Sequence, residues 1–168
     1  MQPSSRIVQV VGFQSNKVTS PQCKLADSYM NIIGHDHVAI IVKDIDASRH
    51  FYCDILGMTE VARPPSFKFP GAWFEKGNAE LHLVHIDAAS QPPGDKTAHP
   101  TPENDIARAR HHAFVVDDMD AVLKQLRAHN IEIVLGPRDR GGGVLQSYCF
   151  DPDEHLVEFI YYPNAGIK

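Results

Sequence analysis

A ten-residue pattern of this chain occurs twice. His37-Val38-Ala39-Ile40-Ile41-Val42-Lys43-Asp44-Ile45-Asp46 aligns without a gap on His111-His112-Ala113-Phe114-Val115-Val116-Asp117-Asp118-Met119-Asp120, 74 positions later. His, Ala, Val, Asp and Asp coincide, and most of the other sites are apolar in both copies. A sequence that repeats itself is built from like supersecondary units, each needing the other to cover its apolar face. That requirement removes most alternative folds.

The local pattern of each copy is legible. His37, Ala39 and Ile41 alternate with Val38, Ile40 and Val42, the signature of a strand buried on both faces. Asp46 and Asp120 have the chemistry of helix N-caps. Behind them Ala47, Phe51 and Ile55, and likewise Val122 and Leu126, recur at helical spacing. Gly57 and Asn130 suit helix ends. Three strands are expected after each helix, over 58–63, 72–76 and 79–86 in the first half and 131–135, 144–150 and 155–162 in the second. Gly77-Asn78 and Asp151-Pro152-Asp153 supply the last hairpin turns.

The expected fold class is therefore α+β. Two βαβββ modules, 34–86 and 109–162, make up one domain over 34–162. The connecting loop 87–108 is long for a compact domain, which marks it as functional or mobile. Residues 1–33 match neither copy and are expected to be an extension that the fold does not need. Residues 163–168 form a tail.

Composition narrows the function. Hydrophobic residues at 43% and charged residues at 22% describe an ordinary soluble domain. A net charge of −5 without a dense Lys/Arg run argues against nucleic acid. Apolar stretches such as 38–42 are too short to span a bilayer. Cys23, Cys53 and Cys149 are scattered and odd in number, which fits neither a disulfide framework nor a zinc knuckle and suits a reducing cytoplasm. The apolar run 7–13 is followed by no cleavage pattern, so a signal peptide is not expected.

Ten histidines in 168 residues are more than packing requires. The repeat picks out which of them matter. His37 and His111 are equivalent residues on the two first strands. On the last strands, Glu80-Leu81-His82-Leu83-Val84 lies over Leu156-Val157-Glu158-Phe159-Ile160, which makes His82 and Glu158 equivalent. Strand alternation turns Glu158 toward the side of Leu156 and Ile160. A carboxylate there costs several kcal/mol unless a cation answers it. Ala39 and Ala113 leave room beside the first-strand imidazoles. If the halves pack as a pseudo-twofold pair, His37, His82, His111 and Glu158 converge on one divalent ion, with Zn, Ni, Mn, Co and Fe all compatible. One or two coordination positions stay open, as catalysis requires. His35, His50, His85, His99, His129 and His155 are read as structural or solvated.

With these residues in place, the chain resembles the vicinal oxygen chelate superfamily, which includes glyoxalase I, fosfomycin-resistance proteins, bleomycin-binding proteins and extradiol dioxygenases. The resemblance covers about 34–162. Its most specific pieces are HVAIIVKDID, FYCDILGM, AELHLV, HHAFVVDDMD and FDPDEHLVEF. The run Arg63 to Trp73 is similar to a glyoxalase-like branch whose implied ligands are His, His, His and Glu. The resemblance implies an open, curved, eight-stranded barrel-like sheet with helices outside. It also implies a small-molecule substrate that offers two adjacent oxygens to the metal, and a site built either within one chain or across a dimer; a homodimer is the default expectation.

Among the superfamily's reactions, a glyoxalase I-like lyase or isomerase working through an enediolate is expected. Glu158 would be ligand and base, and Glu80, on the strand face of His82, could assist. Bacterial glyoxalase I carries Glu where this chain has His82, and the exchange weakens the case for a glutathione substrate. An Fe(II) extradiol dioxygenase is the alternative, with His37, His111 and Glu158 as its triad and Tyr148 as part of a Tyr-x-x-Asp-Pro motif. Fosfomycin transfer fits less well, because Ala39 stands where those proteins carry Thr. Non-enzymatic drug binding leaves four ligand-type residues unexplained. Arg138 and Arg140, ahead of Gly141-Gly142-Gly143, and Trp73 are candidate substrate contacts.

Overall fold

Each half folds as the strand, helix and three strands that its pattern demands. A computed structural model describes residues 34–88, 90, 92–95 and 106–163. The readings on 1–33, on His99 and Cys23, on most of the tail and on much of the connecting loop lie outside the described residues. In order, the elements are β1 (Val38–Val42), α1 (Ile45–Arg49, continuing as a π-helical segment over His50–Ile55), β2 (Thr59–Val61), β3 (Gly71–Lys76) and β4 (Ala79–His85). The second half supplies β5 (His112–Val116), α2 (Met119–Ala128), β6 (Ile133–Asp139), β7 (Leu145–Phe150) and β8 (Leu156–Tyr161).

The helix starts differ from expectation. Asp44 and Asp118, not Asp46 and Asp120, are the N-caps. Asp44 accepts from the amides of Asp46 and Ala47, and Asp118 accepts from that of Ala121. Each half carries Asp-x-Asp, and the first acid takes the cap because its extended backbone aims the carboxylate at the free N–H groups ahead. The expected helix ends hold: Gly57 has φ +69° and Asn130 φ +58°. Both adopt the left-handed conformation that stops a helix.

The eight strands form two open four-stranded sheets, ordered β1-β4-β3-β2 and β5-β8-β7-β6. In each, the first strand runs parallel to the last and forms an edge. Alternation divides every strand between two environments. Ile40, Val42, Ala72, Phe74, Leu81 and Leu83 of the first sheet enter one core. They share it with Cys149, Val157 and Phe159 of the second, and with Phe51, Tyr52, Leu123 and Leu126 of the helices. The ligand candidates sit at the alternate positions. Both ligand-bearing faces therefore turn away from the common core.

The hairpin turn of the second half fastens it to the first. Asp153 accepts from the Lys43 amide (2.8 Å) and the Ser48 hydroxyl (3.2 Å). Asp151 accepts from the Tyr52 hydroxyl (2.7 Å), and His155 Nε2 meets the Ile41 carbonyl (2.7 Å). Burial, outweighing the nearby His155 charge and several hydrogen bonds, holds the Asp151 carboxyl above its usual range. Burial likewise pulls the imidazole of His112 down to about 4.

Candidate metal centre

The structure brings the four candidate ligands together as two pairs. On the first sheet, β1–β4 register sets Ala39 beside His82, and β4–β3 register sets His82 beside Trp73. His37, two residues before Ala39, shares that face. The His82 ring lies between two others: Trp73 stacks on it at 3.9 Å and 5°, and His37 at 3.9 Å and 22°. Glu80 Oε1 holds His82 Nε2 at 2.7 Å, and Asp36 holds His37 Nδ1 at 2.7 Å. Trp73 also meets Phe67 edge-on at 5.1 Å. Phe67 and Phe69 are exposed, and Arg63 packs over both rings while bonding the Phe69 and Gly71 carbonyls.

On the second sheet, register sets Glu158 between Ala113 and Tyr148. His111 Nε2 lies 2.9 Å from Glu158 Oε2. The carbonyl of Ala109 faces His111 Nδ1 at 2.7 Å. Because a carbonyl only accepts, Nδ1 donates to it, and Nε2 is the nitrogen turned toward the Glu158 carboxylate. The other carboxylate oxygen, Oε1, accepts from the Tyr148 hydroxyl at 2.6 Å and from the Gln146 amide. Outer-sphere partners of this kind orient a ligand before the ion arrives. Burial first, and then the neighbouring Glu158, push the Tyr148 hydroxyl well above its usual value, while Arg138 pulls the other way.

Ile106, Ala107 and Ala109 pack on Leu135, Tyr148 and Leu156, so the end of the connecting loop roofs this pair. Sequence reasoning missed the Ala109 carbonyl, which no side-chain pattern reveals. It also missed Gln146, although that residue stands two positions from Tyr148 and so on the same face.

Among the described residues, no three His, Cys, Asp or Glu side chains come together to hold a metal within one chain. Each pair fits a divalent ion chemically, two imidazoles on one sheet and an imidazole with a carboxylate on the other. Neither is a complete site alone. Arg138 and Arg140 also separate. Arg138 lies on the Glu158 face opposite Gln146, whereas Arg140 packs on the Tyr162 ring at the hairpin.

The sequence model of the Glyoxalase/Bleomycin resistance protein/Dioxygenase superfamily matches residues 34–159, and the chain belongs to that family. It is 29% identical over 134 residues to Glyoxylase I 4 of Arabidopsis thaliana, covering 79% of this chain and 73% of that protein. It is 32% identical over 132 residues to a lactoylglutathione lyase of Haemophilus influenzae, covering 74% and 89%. A glyoxalase/dioxygenase from Nostoc punctiforme has a similar structure, with TM-score 0.66 and 26% identity over 83% of this chain and all of that one (100%).

Proposed function

We propose that this chain is a divalent-metal-dependent lyase or isomerase of the glyoxalase I type, acting on a small substrate with two adjacent oxygens. The site forms between two copies, from His37 and His82 of one and His111 and Glu158 of the other. One observation carries the reading: both ligand pairs are assembled in a single chain, on faces turned from the shared core. The same faces hold exposed apolar groups at Ala39, Ala113 and Val115, the last 62% exposed, on the edge strands that a second copy would cover.

A bound divalent ion supplies Lewis acidity toward the substrate oxygens. The chain does the rest. Tyr148 and Gln146 commit Glu158 Oε1, so Oε2, beside His111, is the oxygen that would serve the ion and, when released from it, would take a proton from the substrate carbon next to those oxygens. The Ala109 carbonyl fixes the His111 tautomer. Glu80, held against His82, is a second carboxylate within the site, and Trp73 with Phe67 gives the substrate an apolar wall.

The same residues could serve a ring-opening dioxygenase. Tyr148 bears on the choice, because its hydroxyl proton already goes to Glu158 and is not offered to a substrate. The lyase reading predicts zinc, nickel, manganese or cobalt in protein purified without chelators. It also predicts turnover of a methylglyoxal–thiol adduct, with solvent deuterium entering the product. Iron together with oxygen uptake on catechols, and no lyase turnover, would overturn it.

A further inference from the structure

The far side of the Glu158 face holds a guanidinium whose buried Nε–H is unpaired among the described residues. Arg138 belongs to β6, which pairs with β7 in a register that slips between Leu135 and Arg138. Leu135 faces Tyr148, and Arg138 faces Gln146. Three residues on β6 therefore span two on β7. Strict alternation would send Leu135 and Arg138 to opposite faces. The extra residue of the bulge returns Arg138 to the face of Leu135, Tyr148 and Glu158.

The bulge is made by Gly136 and Pro137. Gly136 has φ +96°, and a Cβ there would meet the Gln146 carbonyl oxygen at 2.4 Å. Only glycine fits. Proline follows where β6 has no ladder amide to give. Two residues unsuited to a regular strand thus serve to aim one arginine.

Arg138 arrives with one donor unpaired. Its Nε–H is buried and makes no hydrogen bond, a condition that native proteins rarely leave unexplained. Among the described residues no carboxylate pairs with it. Asp139, next in sequence, accepts from the Gly141 amide. Glu158 is taken up by His111, Tyr148 and Gln146. The Tyr148 oxygen accepts from Arg138 and feels its charge while the Tyr148 hydroxyl donates its proton to Glu158, so Nε is the donor left over.

We infer that Arg138 is an oxyanion anchor: it takes a carboxylate, phosphate or phosphonate carried by the substrate beyond its two metal-facing oxygens. A guanidinium fork matches such groups with paired N–H donors. β6 and β8 are separated by β7 and Arg138 lies level with Ile160, so the Arg138 and Glu158 backbones stand roughly 12 Å apart. The anchor and the reacting end of a small molecule can be held at once. The inference rests on the metal-site reading above for what lies at the other end.

The test uses the full chain, without metal and with one equivalent of zinc, titrated with inorganic phosphate, methylphosphonate and propionate. The Arg138 Nε–H resonance is followed by NMR. Saturable movement of that resonance with at least one of these anions supports the anchor. A preference for propionate points to a carboxylate substrate, and a preference for the phosphorus anions to a phosphoryl or phosphonyl one. Arg138→Met should weaken binding by about 30-fold, and Arg138→Lys less, with zinc content and the amide spectrum elsewhere unchanged. No movement in either form, or anion binding by Arg138→Met equal to that of the parent, would overturn the anchor. Zinc content decides the metal reading separately: zinc bound but Arg138 silent sinks the anchor alone.

Discussion

The two halves start from the same ten-residue pattern and end as unlike half-sites. Glu158 is buried and the His111 side chain half-buried, 4% and 24% exposed, and every polar atom of the pair faces a partner. His37, the symmetry mate of His111, is 37% exposed and keeps its place through Asp36, itself on the surface, and by stacking. The second half brings a prepared imidazole and carboxylate. The first brings two stacked imidazoles, each with one carboxylate at 2.7 Å. Duplication gave each half a His on its first strand, and the surroundings then diverged. A buried carboxylate must be fully hydrogen-bonded to be tolerated, whereas a neutral imidazole tolerates a looser setting.

That contrast predicts that damage to the two halves differs in size. The largest effect should follow Glu158→Ala or His111→Ala. Metal uptake, read by competition with a chromogenic chelator, should fall by more than the roughly 10–100-fold that outer-sphere partners carry. Next come Tyr148→Phe and Gln146→Met, which strip donors from Glu158 Oε1. Each should lower metal affinity by about 10-fold or more and destabilise the chain by about 1–3 kcal/mol in urea unfolding. Unchanged affinity in both variants would remove the claim that the second half is prepared in advance.

The first half should respond more gently. Trp73 is the chain's single tryptophan and lies flat on His82, so its fluorescence should change saturably with added metal and cease to do so in His82→Ala. Trp73→Leu should cost about 1 kcal/mol of stacking beyond the area lost. A metal-insensitive Trp73 signal in a chain that binds metal would show that His82 is no ligand.

The smallest effect concerns the turns. The second half's turn is anchored by Asp151 and Asp153, while Gly77-Asn78 of the first is exposed. The Asp151 carboxyl titrates above the value of 3.8 taken for an unfolded chain. Its protonated form is therefore favoured by folding, and its contribution is fully present below pH 3.8 and lost as pH rises through the folded value. Asp151→Asn should gain on the parent in thermal stability across that rise and run parallel to it above. A gap between the two that is independent of pH would contradict the assignment.

The sequence carried the repeated strand-helix-strand order and the strand faces, because a repeat with period-two alternation determines both topology and side-chain direction. It misplaced the helix caps by two residues, since either acid of Asp-x-Asp has capping chemistry and only backbone geometry chooses. The register slip that turns Arg138 inward was invisible for a related reason: Gly-Pro marks an irregularity without saying which face the next residue takes. The division of the ligands into two pairs lay beyond reach as well. Local pattern says which face a residue occupies, whereas the packing of one half on the other decides what that face looks at.

The central claim is that a complete metal site needs ligands from two copies, and mixing broken chains tests it most directly. One variant carries His37→Ala and His82→Ala, and the other His111→Ala and Glu158→Ala. Each alone should bind no metal, because every site lacks two ligands. Unfolded together and refolded as mixed dimers, they should recover one ion per mixed pair, measured by elemental analysis of the separated species. Mixed dimers that stay metal-free while the unaltered protein binds its ion would contradict the account.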